Sequence, residues 1–224
     1  GVLELGSSGA DNILYFTVKN TVAAMLEQQK ERGVAVDRDS WVLGHINRSV
    51  LEEIQACVGQ INNPSFAAAA SNWVLNRLPR GSDKVLASVG AEATVLGWCH
   101  KEGGKEAQEG LEHARRNRRQ LQTEQALHRH GLASQNYLDL LQQNKPFELI
   151  NALFEDPSVE ARSLVAAGQY PDIAGAAAAI ASINEFNLVK MKYELLDRWL
   201  PLATSPGSAS ADDTLSDFSL GLDT

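Results

Sequence analysis

The chain has 224 residues, 44% of them apolar and 21% charged, with a mean hydropathy of -0.22. That is enough chain for one large or two small domains with a buried core, and enough apolar content to argue against wholesale disorder. The net charge of -8 and the pI near 5.1 argue against a general nucleic-acid-binding surface, because neutralising phosphates needs a basic field. Aromatic residues are scarce at 6%, whereas alanine clusters in runs at 67–70 and 176–179. Alanine-rich faces let helix axes approach closely, so the composition favours stacked helices over a β-sandwich. Cys57 and Cys99 lie far apart with no second pair to make a metal site or disulfide framework, and read as two reduced thiols on helix faces of an intracellular protein. No apolar run approaches the roughly 20 residues of a membrane span, so no membrane insertion is expected. Residues 1–10 begin with Gly and lack a basic stretch followed by an apolar core, so they do not read as a signal peptide, and the expectation is a segment of something larger.

In chain order, residues 1–10 read as a loop. Asp11 can cap a helix over 12–32, with Ile13, Phe16, Thr17, Asn20 and Ala24 on one face and Gly33 as its stop. Asp39 or Ser40 caps a second helix from Trp41 to about Gln60, carrying Val50, Ile54, Cys57, Val58 and Ile61 at helical spacing. Asn62-Asn63-Pro64 breaks that helix and starts a third, 65–78, with Phe66, Ala69, Ala70, Trp73, Val74 and Leu78 as its apolar face. Pro79-Arg80-Gly81 is a turn, and Ser82 or Asp83 caps a helix over 84–100 presenting Val85, Val89, Ala93, Leu96 and Trp98-Cys99. Gly90 and Gly97 inside it each cost about 1 kcal/mol relative to Ala, which close helix–helix approach would explain. No alternating β-branched run with hairpin turns competes with these helices.

Residues 101–104 are polar, contain Gly103-Gly104, and read as a loop or a domain seam. The stretch 105–130 has high helix propensity but only Ala107, Leu111, Ala114, Leu121, Ala126 and Leu127 as apolar support. It is expected to be a long, exposed, partly packed helix. Ser134 caps a short helix with Tyr137, Leu138, Leu140 and Leu141, and Pro146 starts another over 147–154 with Leu149, Ile150 and Leu153 in the core. A tight helix–turn–helix cadence closes the array. Pro157 starts 158–167 and Gly168 stops it; Pro171 starts 172–183; Asn187 caps 188–200; Pro201 ends the series. From Ala203 the composition shifts to Ser, Gly, Ala and Asp, and 205–224 is expected to be a disordered acidic tail. The count is about nine or ten helices with no strict repeat.

Candidate chemistry is sparse. The histidines are at 45, 100, 113, 128 and 130; His128 and His130 are two apart on a helix and diverge, and no pair four apart with an intervening Glu exists. The run Arg115-Arg116-Asn117-Arg118-Arg119 could bind phosphate, an anionic headgroup or an acidic partner, but Glu109, Glu112 and Glu124 flank it, and a solvated face with local ion pairs is the simpler reading. Gly6-Ser7-Ser8-Gly9 lacks the Lys-Ser/Thr of a phosphate loop, and no Gly-x-Ser-x-Gly elbow is present. No catalytic, cofactor-binding or metal-ligating residue is therefore expected, no cofactor, and no enzyme. In the tail, acidic and apolar residues alternate from Asp212 to Leu220, as in short motifs that fold on a partner.

Two stretches together carry a resemblance. Asn72-Trp73-Val74-Leu75-Asn76-Arg77-Leu78-Pro79-Arg80-Gly81-Ser82-Asp83-Lys84-Val85 resembles a "helix, Leu-Pro, Gly, Asp-Lys" junction in the C-terminal region of the Rod, or kinetochore-associated, family. Tyr170-Pro171-Asp172-Ile173 through Ile183-Asn184-Glu185-Phe186-Asn187-Leu188, ending Leu195-Leu196-Asp197-Arg198-Trp199-Leu200, is similar to the same region. The likeness covers about 14–200. It implies a helical scaffold segment of the Rod–Zwilch–zeste-white-ten complex, which supports the spindle assembly checkpoint and brings dynein through Spindly. It offers no catalytic residues to carry over. Its neighbour is the Sec39-like group of Golgi-to-reticulum vesicle-tether subunits that includes neuroblastoma-amplified sequence.

The expectation is thus an all-α, irregular α-solenoid of antiparallel helix pairs over 1–204, with a possible seam near 101–104 and a tail over 205–224. It acts as a non-enzymatic assembly surface in the cytoplasm and at the mitotic kinetochore, with protein partners (Zwilch, zeste-white-ten, Spindly and dynein by resemblance) and no nucleic acid. A tether subunit is the alternative, and a helical enzyme without a visible motif a remoter one. The expected core is Phe16, Ile54, Phe66, Trp73, Leu78, Leu96, Leu153, Phe154, Ile180, Ile183, Leu188, Leu195 and Trp199.

Overall fold

In the computed structural model, which describes residues 9–31, 41–44, 46–156 and 172–200, the chain is all-helical. The described helices are α1 Gly9–Glu31, α2 Arg48–Gly59, α3 Pro64–Arg77, α4 Ser82–Lys101, α5 Gly104–Arg129, α6 Gln135–Gln142, α7 Pro146–Phe154, α8 Ile173–Ile183 and α9 Leu188–Trp199. Two compact units are distinguished: Gly1–Phe186, which holds α1–α8, and Asn187–Thr224, which holds α9. The helix expected at 158–167, the breakers Pro157, Gly168, Pro171 and Pro201, the caps Asp39 and Ser40, and the 205–224 tail lie outside the described residues.

In α1 the face that packs is not the expected one. Asp11, Tyr15, Val18, Val22, Met25 and Gln29 are buried, alternating four and three residues apart, while Phe16 is 56% exposed and Ile13 68%. Two of these six positions are polar, which disguises the stripe in the sequence. Asp11 explains its own burial: Oδ1 accepts from the Asn62 backbone N–H at 2.8 Å and Oδ2 from that of Asn63 at 3.2 Å. It lies within the first turn of α1 and fixes the turn that launches α3. There Asn63 is the cap, its Oδ1 accepting from Phe66 N at 3.0 Å, and Pro64 sits where a missing N–H costs nothing. Tyr15 meets Phe66 edge-on at 5.2 Å, joining α1 to α3 through aromatic contact.

The second helix starts at Arg48, not Trp41. Residues 41–44 instead form a strap against the 79–82 turn: Val42 N donates to Arg80 O at 3.2 Å and Ser82 N donates to Val42 O at 3.0 Å. Gly81, with φ of 147°, is required there, because a Cβ would meet Val42 O at 2.5 Å. Ser82 and Asp83 belong to the first turn of α4 and do not cap it. Asp83 Oδ2 accepts from Ile46 N and Asn47 N, at 3.3 and 3.1 Å, and so serves the entrance of α2. In α4 itself Val85, Ser88, Val95 and Cys99 are buried, whereas Val89 and Ala93 are exposed and Leu96 half-buried. The α4 glycines divide: at Gly90 a Cβ would meet the flexible end of the Gln55 side chain from α2, which could shift aside, whereas at Gly97 nothing lies within 4 Å, so close approach of helix axes explains neither.

Helix α5 departs most from expectation. Its six apolar residues are all buried, with Ala107 and Leu127 fully inaccessible, but so are Thr123 and Glu124, and the helix packs against α4, α6 and α8. It is central, not exposed. Residues 107, 111, 114, 118, 121, 125 and 128 recur at four and three and form a seam with α4, in which three of seven positions are polar. Contacts fix an antiparallel register: Cys99 donates to Ala107 O at 3.0 Å, Glu92 pairs with Arg115 and Arg118, and Gln125 donates to Ser82 Oγ at 2.8 Å. The two helices pack across 101–104, where Gly103 closes α4 with φ of 64°.

α6 follows Ser134, whose hydroxyl makes no cap bond, and only Leu141 is buried on it. α7 buries Leu149, Ile150 and Leu153 as expected. α8 is capped by Asp172, accepting from Gly175 N at 2.9 Å, and α9 by Asn187, accepting from Lys190 N at 3.0 Å. Of the expected core, Ile54, Phe66, Leu78, Leu153, Ile180 and Leu195 are buried; Trp73, Leu96, Phe154, Ile183 and Leu188 are half-buried; Phe16 is outside. The Trp199 side chain lies outside the described residues.

Asp11→Ala leaves two part-buried backbone donors without their acceptor and is expected to lower stability by about 1–2 kcal/mol. Urea unfolding followed by circular dichroism measures this, and Asp11→Asn, which keeps one acceptor oxygen, should lose less.

Candidate functional site

Polar groups concentrate where α5 meets its neighbours. On the α4 side, Arg115 Nε lies 3.6 Å from Glu92 and Nη1 3.1 Å from Glu112, and Arg118 pairs with the other oxygen of Glu92. On the α8 side, Arg119 pairs with Glu185 at 2.7 Å and Asn184 Nδ2 donates to buried Thr123 Oγ1 at 3.1 Å. Near its C-terminus, His130 Nδ1 lies 3.2 Å from Asp172 Oδ2. Of the arginine run, then, Arg115, Arg118 and Arg119 are engaged in ion pairs that cross to α4 or to the end of α8, and Arg116 is exposed. The expected solvated face with local pairs holds for exposed Arg116 and for the Arg115–Glu112 pair, and the pairs to Glu92 and Glu185 add an interhelical clasp.

A second node lies under the 41–44 strap. Arg80 pairs with Glu124, which is 7% exposed, and the Trp41 and His128 rings stack 4.8 Å apart at 9°. Burial pushes the Lys84 ammonium below its ordinary value, with Glu124 pulling it back up and Arg80 pushing it further down. Burial likewise lowers His128, and the Arg80 charge lowers it further. This node can hold the strap and the α4–α5 seam together, through the Arg80–Glu124 pair and the Trp41–His128 stack.

The cavities agree. Two are about 10 and 20 Å³, near the size of one water. An open groove of about 890 Å³ runs past His128, Tyr137, Leu140, Glu155 and Asp156. There the Tyr137 hydroxyl donates to Asp156, and burial with that carboxylate holds it protonated far above neutral pH. Among the described residues no group of three or more His, Cys, Asp or Glu could hold a metal, and no helix is long and apolar enough to cross a membrane. His100 and His113 belong to no such group, and His45 is outside the described residues. Both cysteines are free thiols, Cys99 buried and Cys57 half-buried.

One exposed feature had no signal in the expected pattern. Lys19 Nζ sits 4.2 Å from the Tyr15 ring centre and 5.8 Å from that of Trp73, and Arg77 lies 5.3 Å from the Trp73 ring centre. Cations over aromatic faces at these distances are attracted to the rings, so a basic, aromatic surface flanks the α1–α3 contact on an acidic protein. Spacing Lys19 four residues after Tyr15 is the sequence cue for it.

The His128 environment makes a pH prediction. Its folded-state value lies below the usual 6.5, so the unfolded chain takes up the proton first as pH falls. The corresponding stability is fully present above pH 6.5 and is lost as pH falls through the folded value. Urea midpoints between pH 7.5 and 5 should therefore fall more steeply for the native chain than for His128→Phe, which keeps a ring against Trp41 but cannot titrate.

Known proteins of similar sequence are kinetochore components by name. Human kinetochore-associated protein 1 is 32% identical over 169 residues, which is 73% of this chain and 8% of that protein. The mouse protein of the same name is 28% identical over 219 residues, 94% of this chain and 10% of its own length. The chain thus spans about a tenth of the relatives it matches. The sequence family described as the Rough deal protein C-terminal region matches residues 8–219, and this chain belongs to it.

Proposed function

We propose that the chain is a non-enzymatic scaffold segment that offers its helical surface for assembly within a mitotic kinetochore complex. The observation that carries this reading is the family match over 8–219. The chemistry is consistent with it: Arg80–Glu124 and Arg118–Glu92 are spent on joining helices to one another. Helix order supports an irregular solenoid. α3 packs on α4, α4 on α5 and α6 on α7, and α1–α3 and α2–α4 contacts tie each layer to the next but one. Such an array presents broad surface at little cost in specialised residues.

In finer terms, the segment supports the Rod–Zwilch–zeste-white-ten assembly, the spindle checkpoint and dynein recruitment through Spindly, working at the kinetochore and in the cytoplasm. The names of both relatives favour the kinetochore over the vesicle-tether alternative.

Affinity purification of the tagged full-length parent protein from mitotic and interphase cells tests the reading. Zwilch and zeste-white-ten subunits should co-purify, with Spindly and dynein enriched in mitosis. Recovery of Golgi–reticulum tether subunits without kinetochore partners would contradict it.

A further inference from the structure

We propose that the α1–α3 edge around Lys19 and Arg77 docks a short acidic segment of a partner protein, one that carries aromatic or aliphatic side chains among its carboxylates. The Lys19 ammonium faces three rings at once, 4.2 Å from the centre of Tyr15, 5.7 Å from that of Phe16 and 5.8 Å from that of Trp73. The Arg77 guanidinium lies over the same Trp73 ring at 5.3 Å. Phe16 is exposed, as is Ile13 one turn before it, so open apolar surface adjoins the charges. A lone exposed apolar side chain is ordinary. Aromatic rings gathered beside an arginine have the composition of an interface centre.

Charge identifies the occupant. Helix α3 contains no acidic residue, and residues 9–26 of α1 contain only Asp11, whose carboxylate is turned inward to the backbone of Asn62 and Asn63. The next carboxylate along α1 is Glu27, two turns beyond Lys19, and it pairs with Lys30. Among the described residues, Lys19 and Arg77 are thus held over rings and in no ion pair, on a chain with 28 acidic residues against 20 basic ones. An incoming carboxylate can meet both cations while its apolar neighbours cover Phe16 and Ile13.

Nucleic acid and lipid surfaces fit this edge less well. Lipid headgroups are gripped by clusters of about 4–8 Lys or Arg, and duplex DNA by roughly 6–10 phosphate contacts, whereas two cations stand here. A net charge of -8 also repels an extended polyanion, while a short segment meets only the charges within a Debye length of about 8 Å. The edge is one face of the assembly surface proposed above and rests on that reading. Its binding in purified chain is nevertheless independent of which complex the parent protein joins, so either can fail alone.

Selection of a displayed random-peptide library on the whole chain, followed by fluorescence anisotropy of the enriched peptides, tests the proposal. Those peptides should carry two or more Asp or Glu around Trp, Phe or Leu. Their affinity should fall about tenfold in Lys19→Glu and in Arg77→Glu, and severalfold in Phe16→Ser, with circular dichroism unchanged. Arg48→Glu, at an exposed site on α2, should bind as the native chain does. A library yielding no enriched peptide, or peptides without acidic residues, would overturn the proposal, as would equal affinity in the Lys19→Glu, Arg77→Glu double variant. Phosphatidylserine vesicles or poly(U) RNA that bind more tightly than the peptides, and are lost in the double variant, would also overturn it, because a polyanion would then be the occupant.

Discussion

A helix of 26 residues with six apolar ones cannot hold its place by presenting a broad greasy face, yet α5 touches α4, α6 and α8 at once. The constraint it meets is that every polar side chain turned inward must find a partner. Glu92 takes Arg115 and Arg118, Glu124 takes Arg80, Thr123 takes Asn184, and Gln125 takes Ser82. Magnitudes separate the roles. Burying Leu111 and Leu121 is worth about 1.5–3 kcal/mol each, whereas partly exposed ion pairs contribute about 0–1 kcal/mol. Burial therefore supplies the stability of the α4–α5 seam. The pairs supply its register, because a slip by one turn would leave Glu124 buried without Arg80.

The same economy governs the connections. Asp11 and Asp83 are buried carboxylates on helices, and each serves backbone donors at the start of a helix distant in sequence, Asp11 at 62–63 and Asp83 at 46–47. Local capping would have left those turns to water. Long-range capping ties α1 to α3 and α2 to α4, so the helix ends cannot loosen independently of the packing. The strap at 41–44 adds a third tie through the Gly81 turn, and the Trp41–His128 stack carries it on to α5.

Much of this was legible in the sequence where local signals are strong. Asn63-Pro64, Pro146 and Asn187 mark helix starts because a side-chain acceptor or a missing N–H acts within three residues. Leu149, Ile150 and Leu153 read as core because they cluster on one face of a short helix, and all three are buried. What failed was face assignment wherever polar residues turn inward. In α1 the stripe includes Asp11 and Gln29, so Ile13 and Phe16 look like the better face. In α5 the seam includes Arg118, Gln125 and His128, so the helix looks exposed. Ser82 and Asp83 resemble local caps because nothing in one sequence reveals that their oxygens serve residues some 40 positions earlier. The arginine run reads as a candidate site in the sequence, yet Arg115, Arg118 and Arg119 complete helix interfaces. The family resemblance was carried by the 72–85 junction, which is the strap-and-turn region that α2, α4 and α5 share, together with the α8 and α9 segments.

A scaffold built this way depends on its most polar helix being its least mobile. Hydrogen exchange of the native chain, resolved along α5, tests this directly. Amides between Ala107 and Leu127 are expected to exchange as slowly as those of α3 and α4, and at the rate set by global unfolding. Exchange of α5 well ahead of α3 and α4, at the pace of a solvated helix, would contradict the account.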